Sequence, residues 1–88
     1  MHGTVVNSRN TPIASAVVYL KNLRTMAIRT YISSQRGHYR FSGLDPNADY
    51  QIHAEHENFT SITRTISSYD NRRDILLDLK VDRKKPRT

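Results

Sequence analysis

Hydrophobic and polar residues alternate with a period of two through most of this chain, the pattern of strands that bury one face and wet the other. It is clearest between Gly37 and Ala54. Tyr39 and Phe41 alternate with His38, Arg40 and Ser42, and further on Tyr50, Ile52 and Ala54 alternate with Gln51, His53 and Glu55. Gly37, Gly43 and Pro46 punctuate the run as turn residues do. Tyr50 follows the Leu44-Asp45-Pro46 turn, where a tyrosine can bury its ring and return its hydroxyl to the connecting backbone, as in the tyrosine corner of sandwich folds.

Further strands are predicted at residues 3–7, 16–22, 27–33, 59–66 and 73–80. In the second, Ala16, Val18 and Leu20 face inward and Val17, Tyr19 and Lys21 outward. In the third, Ile28, Thr30 and Ile32 share one face and Arg29, Tyr31 and Ser33 the other, with Ile32 assigned to the core and Tyr31 to the outside. The turn at 34–37 ends on Gly37, which can take positive φ. The stretch 73–80 has Ile75, Leu77 and Leu79 on one face; it could pass locally for an amphipathic helix, but it is short and lacks a C-cap. Seven strands with turn signals about every 8–12 residues predict an all-β fold, a seven-stranded antiparallel Greek-key β-sandwich of Ig-like type spanning residues 1–81. The expected core is Val5, Val18, Leu20, Ile32, Tyr39, Phe41, Leu44, Tyr50, Ile52, Phe59, Leu77 and Leu79.

Eighty-eight residues make one domain with a modest core. Neither Trp nor Cys is present, so Val, Ile, Leu, Tyr and Phe must fill the core, and neither a disulfide nor a thiolate metal site can form. No apolar run reaches the roughly 18 residues of a membrane span, and MHGTVV is not a signal peptide. The net charge of +6 is half accounted for by the last eight residues, where Arg83, Lys84, Lys85 and Arg87 outnumber Asp82. Residues 82–88 are expected to be a basic, disordered tail. The remaining excess is scattered, so the charge does not point to nucleic acid.

The order Gly3-Thr4-Val5, Pro12, Ala16/Val18/Leu20, Gly37/Tyr39/Phe41/Leu44/Pro46 and Tyr50/Ile52 resembles the carboxypeptidase regulatory-like domain of the transthyretin-like (prealbumin-like) sandwich group, over roughly residues 2–80. Two positions depart from that pattern. Pro46-Asn47-Ala48-Asp49 stands where Pro-Gly is common, with Asn47 able to take a left-handed conformation, and Ser15 stands where glycine is frequent. The resemblance implies a non-catalytic accessory module, beside peptidase domains, outer-membrane receptors or other surface proteins, extracytoplasmic in bacteria.

Catalytic readings find little support in the residues. His53 and Glu55 share an outward face but lack the His-x-x-Glu spacing of a metallocarboxypeptidase, and His53 and His56 point to opposite faces. Ser33, Ser34, Ser67 and Ser68 occupy turn-like positions without an identifiable His and acid. The chain also lacks the Tyr-Arg-Gly-Ser ending of the transthyretin-related hydrolases and the first-strand Lys of self-crosslinking adhesin repeats. Asn58-Phe59-Thr60 matches a glycosylation sequon, with Phe59 expected to anchor a turn. No catalytic residue, cofactor or metal is expected.

The candidate binding surface comprises Tyr19, Lys21, Arg29 and Tyr31, with Arg64, Arg72 and Arg73 as a second, basic cluster. Exposed tyrosines beside polar groups can stack on sugars, pair across strands or cover a neighbouring domain. The expected function is that of an accessory module contacting adjacent domains or a surface partner, as a monomer. The alternative is a carbohydrate- or polyanion-binding module that uses the tyrosines or the basic clusters.

Overall fold

The computed structural model describes residues 1–70 and 74–84. Its strands are β1 (His2–Val6), β2 (Val17–Asn22), β3 (Ile28–Ile32), β4 (His38–Arg40), β5 (Tyr50–His56), β6 (Phe59–Thr60), β7 (Arg64–Ile66), β8 (Leu79–Lys80) and β9 (Arg83–Lys84). They form a three-stranded sheet, β4-β1-β8, and a six-stranded sheet, β3-β2-β5-β6-β9, with β7 also pairing β5. The two sheets supply opposite sides of one core, a β-sandwich. Val5, Tyr39 and Leu79 come from the small sheet and Val18, Leu20, Tyr50, Ile52 and Ala54 from the large one.

Seven uniformly antiparallel strands are not what forms. The described residues hold nine short strands, and β1 pairs β8 in parallel, Val5 opposite Leu79 and Val6 opposite Lys80. The strand expected over 59–66 is interrupted. Glu55 pairs with Thr60 and Ile52 with Arg64, so residues 61–63 stand opposite residues 53–54. That one-residue excess is a β-bulge. Ser61 secures it from a buried position: its Oγ accepts the Ala54 N–H at 2.8 Å, and its own N–H donates to the Ala54 carbonyl at 2.8 Å. The strand expected over 73–80 contracts to β8, with an isolated parallel bridge from Leu76 to His2; residue 73 lies outside the described residues. From the expected tail, Arg83 and Lys84 pair with Thr60 and Phe59 as β9, while residues 85–88 lie outside the described residues.

Ten of the twelve expected core residues are buried or packed against the core, Leu44 and Leu77 only partly. Ile32, 57% exposed, and Phe59, 39% exposed, are not core residues. Met1, Ala16, Ala48, Ala54, Ile66 and Val81 complete the interior. The tyrosine corner forms as expected: the Asp45 N–H donates to the Tyr50 hydroxyl at 2.8 Å, and the Tyr50 ring is buried. The adjacent turn closes by a different route from the one expected. Asn47 does not take positive φ; instead the Asp45 carboxylate accepts the Asn47 N–H at 2.9 Å and buried Ala48 donates to the Asp45 carbonyl.

Ser15, by contrast, does adopt the left-handed conformation, with φ 61°. A β-carbon there is strained by about 1–2 kcal/mol, part of which glycine gives back through its looser unfolded chain. Ser15→Gly is therefore expected to stabilise the domain by about 0.5–1 kcal/mol. A denaturant midpoint raised at unchanged m-value is the outcome to look for; a lowered midpoint would show that the serine's Cβ is not under strain.

Candidate interaction surface

The outward face of the large sheet is assembled from the alternating positions that the core does not take. On β2, Val17, Tyr19 and Lys21 stand between buried Ala16, Val18 and Leu20. Antiparallel pairing puts directly opposed residues on the same face. Val17 is flanked by Ile32 and Glu55, Tyr19 by Thr30 and His53, and Lys21 by Ile28 and Gln51. Three rows therefore cross β3, β2 and β5. In the middle row the Tyr19 and His53 rings stack at 4.9 Å with 10° between planes. The His53 Nε2 lies 3.1 Å from the Glu55 Oε2, an ion pair when the imidazole is protonated. Tyr19, Lys21, Ile28, Gln51, His53 and Thr63 line a shallow depression of about 160 Å³. Ile28 is 61% exposed on this face.

The same pairing corrects the expected orientation of β3. Because Lys21 pairs with Ile28 and Val18 with Tyr31, Arg29 and Tyr31 share the inward face with Leu20 and Val18. Tyr31 stands edge-on to Phe41, with centroids 6.0 Å apart and 67° between planes. The Arg29 guanidinium lies 5.6 Å above the same Phe41 ring and donates to the Ser42 carbonyl at 2.8 Å. Together they cap the open rim of the core. Tyr19 and Tyr31 are thus on opposite faces and offer no joint platform, and Lys21 and Arg29 are separated in the same way. Arg64 pairs opposite Ile52 and lines a separate cleft of about 640 Å³ with Tyr69, Asp70 and Asp74; Arg72 and Arg73 lie outside the described residues. The residues that sequence reasoning left off this surface are Ile28 and Ile32. Alternation alone could not place them outward, because with every residue of β3 exposed the pattern Ile28-Arg29-Thr30-Tyr31-Ile32 fits either phase.

Groups that suggested chemistry are engaged structurally. Buried Ser33 accepts the Ala16 N–H through Oγ at 2.9 Å and donates to the Ile13 carbonyl at 2.7 Å, fastening the start of β2 to the end of β3. Among the described residues, no three His, Cys, Asp or Glu side chains gather into a group that could hold a metal ion. Among those residues, too, no helix is long and apolar enough to cross a membrane.

The chain matches a known protein-family model. The model for the carboxypeptidase regulatory-like domain matches residues 1–80. The chain belongs to that family. The match spans both sheets of the sandwich through β8, so this regulatory-like domain is a transthyretin-like β-sandwich along nearly its whole length. No curated protein matches the chain.

Proposed function

We propose that this regulatory-like domain is an accessory module of an exported or cell-surface bacterial protein, seated against a neighbouring domain or a surface protein through the outward face of its large sheet. The observation that carries this reading is the exposure of Ile28 and Ile32, 61% and 57%, on a face that also presents the Tyr19–His53 stack. Apolar side chains grouped on a flat sheet face gain by being covered, and aromatic residues within such a patch serve as rigid anchors. Lys21 and Gln51 in the row of Ile28, and Glu55 in the row of Ile32, supply polar contacts beside these isoleucines. The division of the tyrosines between two faces weakens the carbohydrate alternative, and among the described residues Lys21 and Arg29 lie on opposite faces while Arg64 lines a different cleft.

The test immobilises the 88-residue chain and passes envelope extract of the source bacterium over it, beside an Ile28→Glu/Ile32→Glu variant whose fold is checked by circular dichroism. Each isoleucine covered in a contact is worth roughly 1.5–3 kcal/mol, so the partner retained by the unmodified chain should lose at least about tenfold in affinity for the variant. Equal retention by both chains would contradict the assignment of the face.

A further inference from the structure

The outer edge of β3 carries information that its faces do not. β3 ends the large sheet, paired with β2 on one side. All five of its residues, Ile28–Ile32, are exposed. The Ser33 N–H donates to the Ala16 carbonyl and the Asn22 N–H to the Ala27 carbonyl, so odd-numbered residues here turn their backbone groups toward β2. Alternation along a strand then turns the N–H and C=O of Ile28, Thr30 and Ile32 to the open edge. An open, β-branched edge of this kind is a template for another strand.

The sequence of that edge, Ile-Arg-Thr-Tyr-Ile, complements itself when reversed. We propose that β3 pairs with β3 of a second copy of this chain, antiparallel about a two-fold axis through Thr30. In this register Thr30 faces Thr30 of the second copy, and Ile28 faces its Ile32. These are the residues whose backbone groups point outward, so each opposed couple exchanges two hydrogen bonds. Their side chains lie together on the outward face, where β-branched and Thr–Thr pairs are favourable across strands. On the inward face Arg29 stands opposite Tyr31 of the second copy, a guanidinium against an aromatic ring, and the strand's only charge never meets its own kind. A shift of register by one residue would set mismatched backbone groups together, and a shift by two would leave an isoleucine unpaired at each end. The contact is isologous and closes as a dimer. It uses the backbone edge, so it stands independently of whatever covers the outward face.

Thr30 on the axis gives a test specific to this register. A five-residue edge buries less than a standard interface, so association is weak and is measured by sedimentation equilibrium up to about 1 mM chain. The 88-residue chain is expected to form dimers. Thr30→Lys and Thr30→Asp, each placing like charges face to face on the axis, should be monomeric on their own. An equimolar mixture of the two should recover a one-to-one heterodimer, which misfolded variants could not do. An unmodified chain that stays monomeric at that concentration, a dimer indifferent to either substitution, or a mixture that remains monomeric would each overturn the proposal.

Discussion

Gly3→Ala is expected to cost the domain a large share of its stability. Gly3 lies in β1 opposite Tyr39, and a β-carbon there would meet the Leu77 carbonyl oxygen at 1.8 Å, its carbon at 2.6 Å and the Tyr39 ring at 3.0 Å. The obstructing atoms are mainly backbone, so no rotamer change relieves them. The chain on either side of Leu77 is tied to the same strand: the Leu77 N–H donates to the His2 carbonyl at 2.9 Å, and the His2 N–H to the Ile75 carbonyl at 2.9 Å. Making room for one methyl therefore separates β1 from the segment leading into β8 and draws the Leu77 carbonyl away from the Tyr39 hydroxyl that donates to it. Overpacking and the lost hydrogen bond together come to about 3–5 kcal/mol, against a total stability of about 5–15 kcal/mol for a domain of ordinary stability. The melting temperature should fall by at least about 12 °C. Gly43→Ala is the instructive control, since nothing lies within 4 Å of its added β-carbon and only its φ of 69° opposes the change. Its penalty should stay near about 1–2 kcal/mol. Equal effects at the two glycines would refute the close approach at Gly3.

The second large effect is alkaline unfolding governed by Tyr39. Burial raises the pKa of its phenol well above the ordinary tyrosine range, and the nearby Asp78 carboxylate raises it further. A group whose folded pKa is raised contributes stability that is intact below its unfolded pKa, about 10 for tyrosine, and is lost as pH climbs from there toward the folded value. The slope reaches about 1.4 kcal/mol for each pH unit above 10. Tyr39→Phe should therefore be less stable than the unmodified domain at pH 7 by about 1 kcal/mol, because the Leu77 carbonyl loses its donor. It should also decline less steeply above pH 10. Denaturation curves that converge between pH 10 and 12 are the predicted signature; parallel curves would show that the phenol is not held neutral by the fold.

Much of this architecture was legible in the chain. Strands with one face truly buried announced themselves: Val18 and Leu20 in β2, and Tyr50, Ile52 and Ala54 in β5, alternate as they read. Tyr50 could be placed because its partner lies only five residues away, at Asp45. What failed was long-range or fell on an edge. In β3 both faces are exposed, so hydrophobicity does not set the phase; the hairpin does, and there Met26 takes φ 64° without the glycine that would have marked the turn. The bulge at residues 61–63 was hidden because it depends on Ser61 reaching Ala54 across the sheet. Parallel pairing of β1 with β8 joins residues more than seventy positions apart, beyond any local pattern. The candidate surface inherited the error in β3, since reversing that strand's faces exchanges Tyr31 for Ile28 and Ile32.

Both the outward face and the self-complementary edge therefore rest on how β2 meets β3, and nuclear Overhauser contacts between their α-protons examine that pairing directly. Ile28, Thr30 and Ile32 do not exchange backbone hydrogen bonds with β2, so they form the close couples of the antiparallel pair. The fold predicts α-proton contacts from Tyr19 to Thr30 and from Lys21 to Ile28, with the Tyr31 ring in contact with Phe41. Contacts from Tyr19 to Arg29 or Tyr31 in their place would put the two tyrosines on one face and contradict the surface described above.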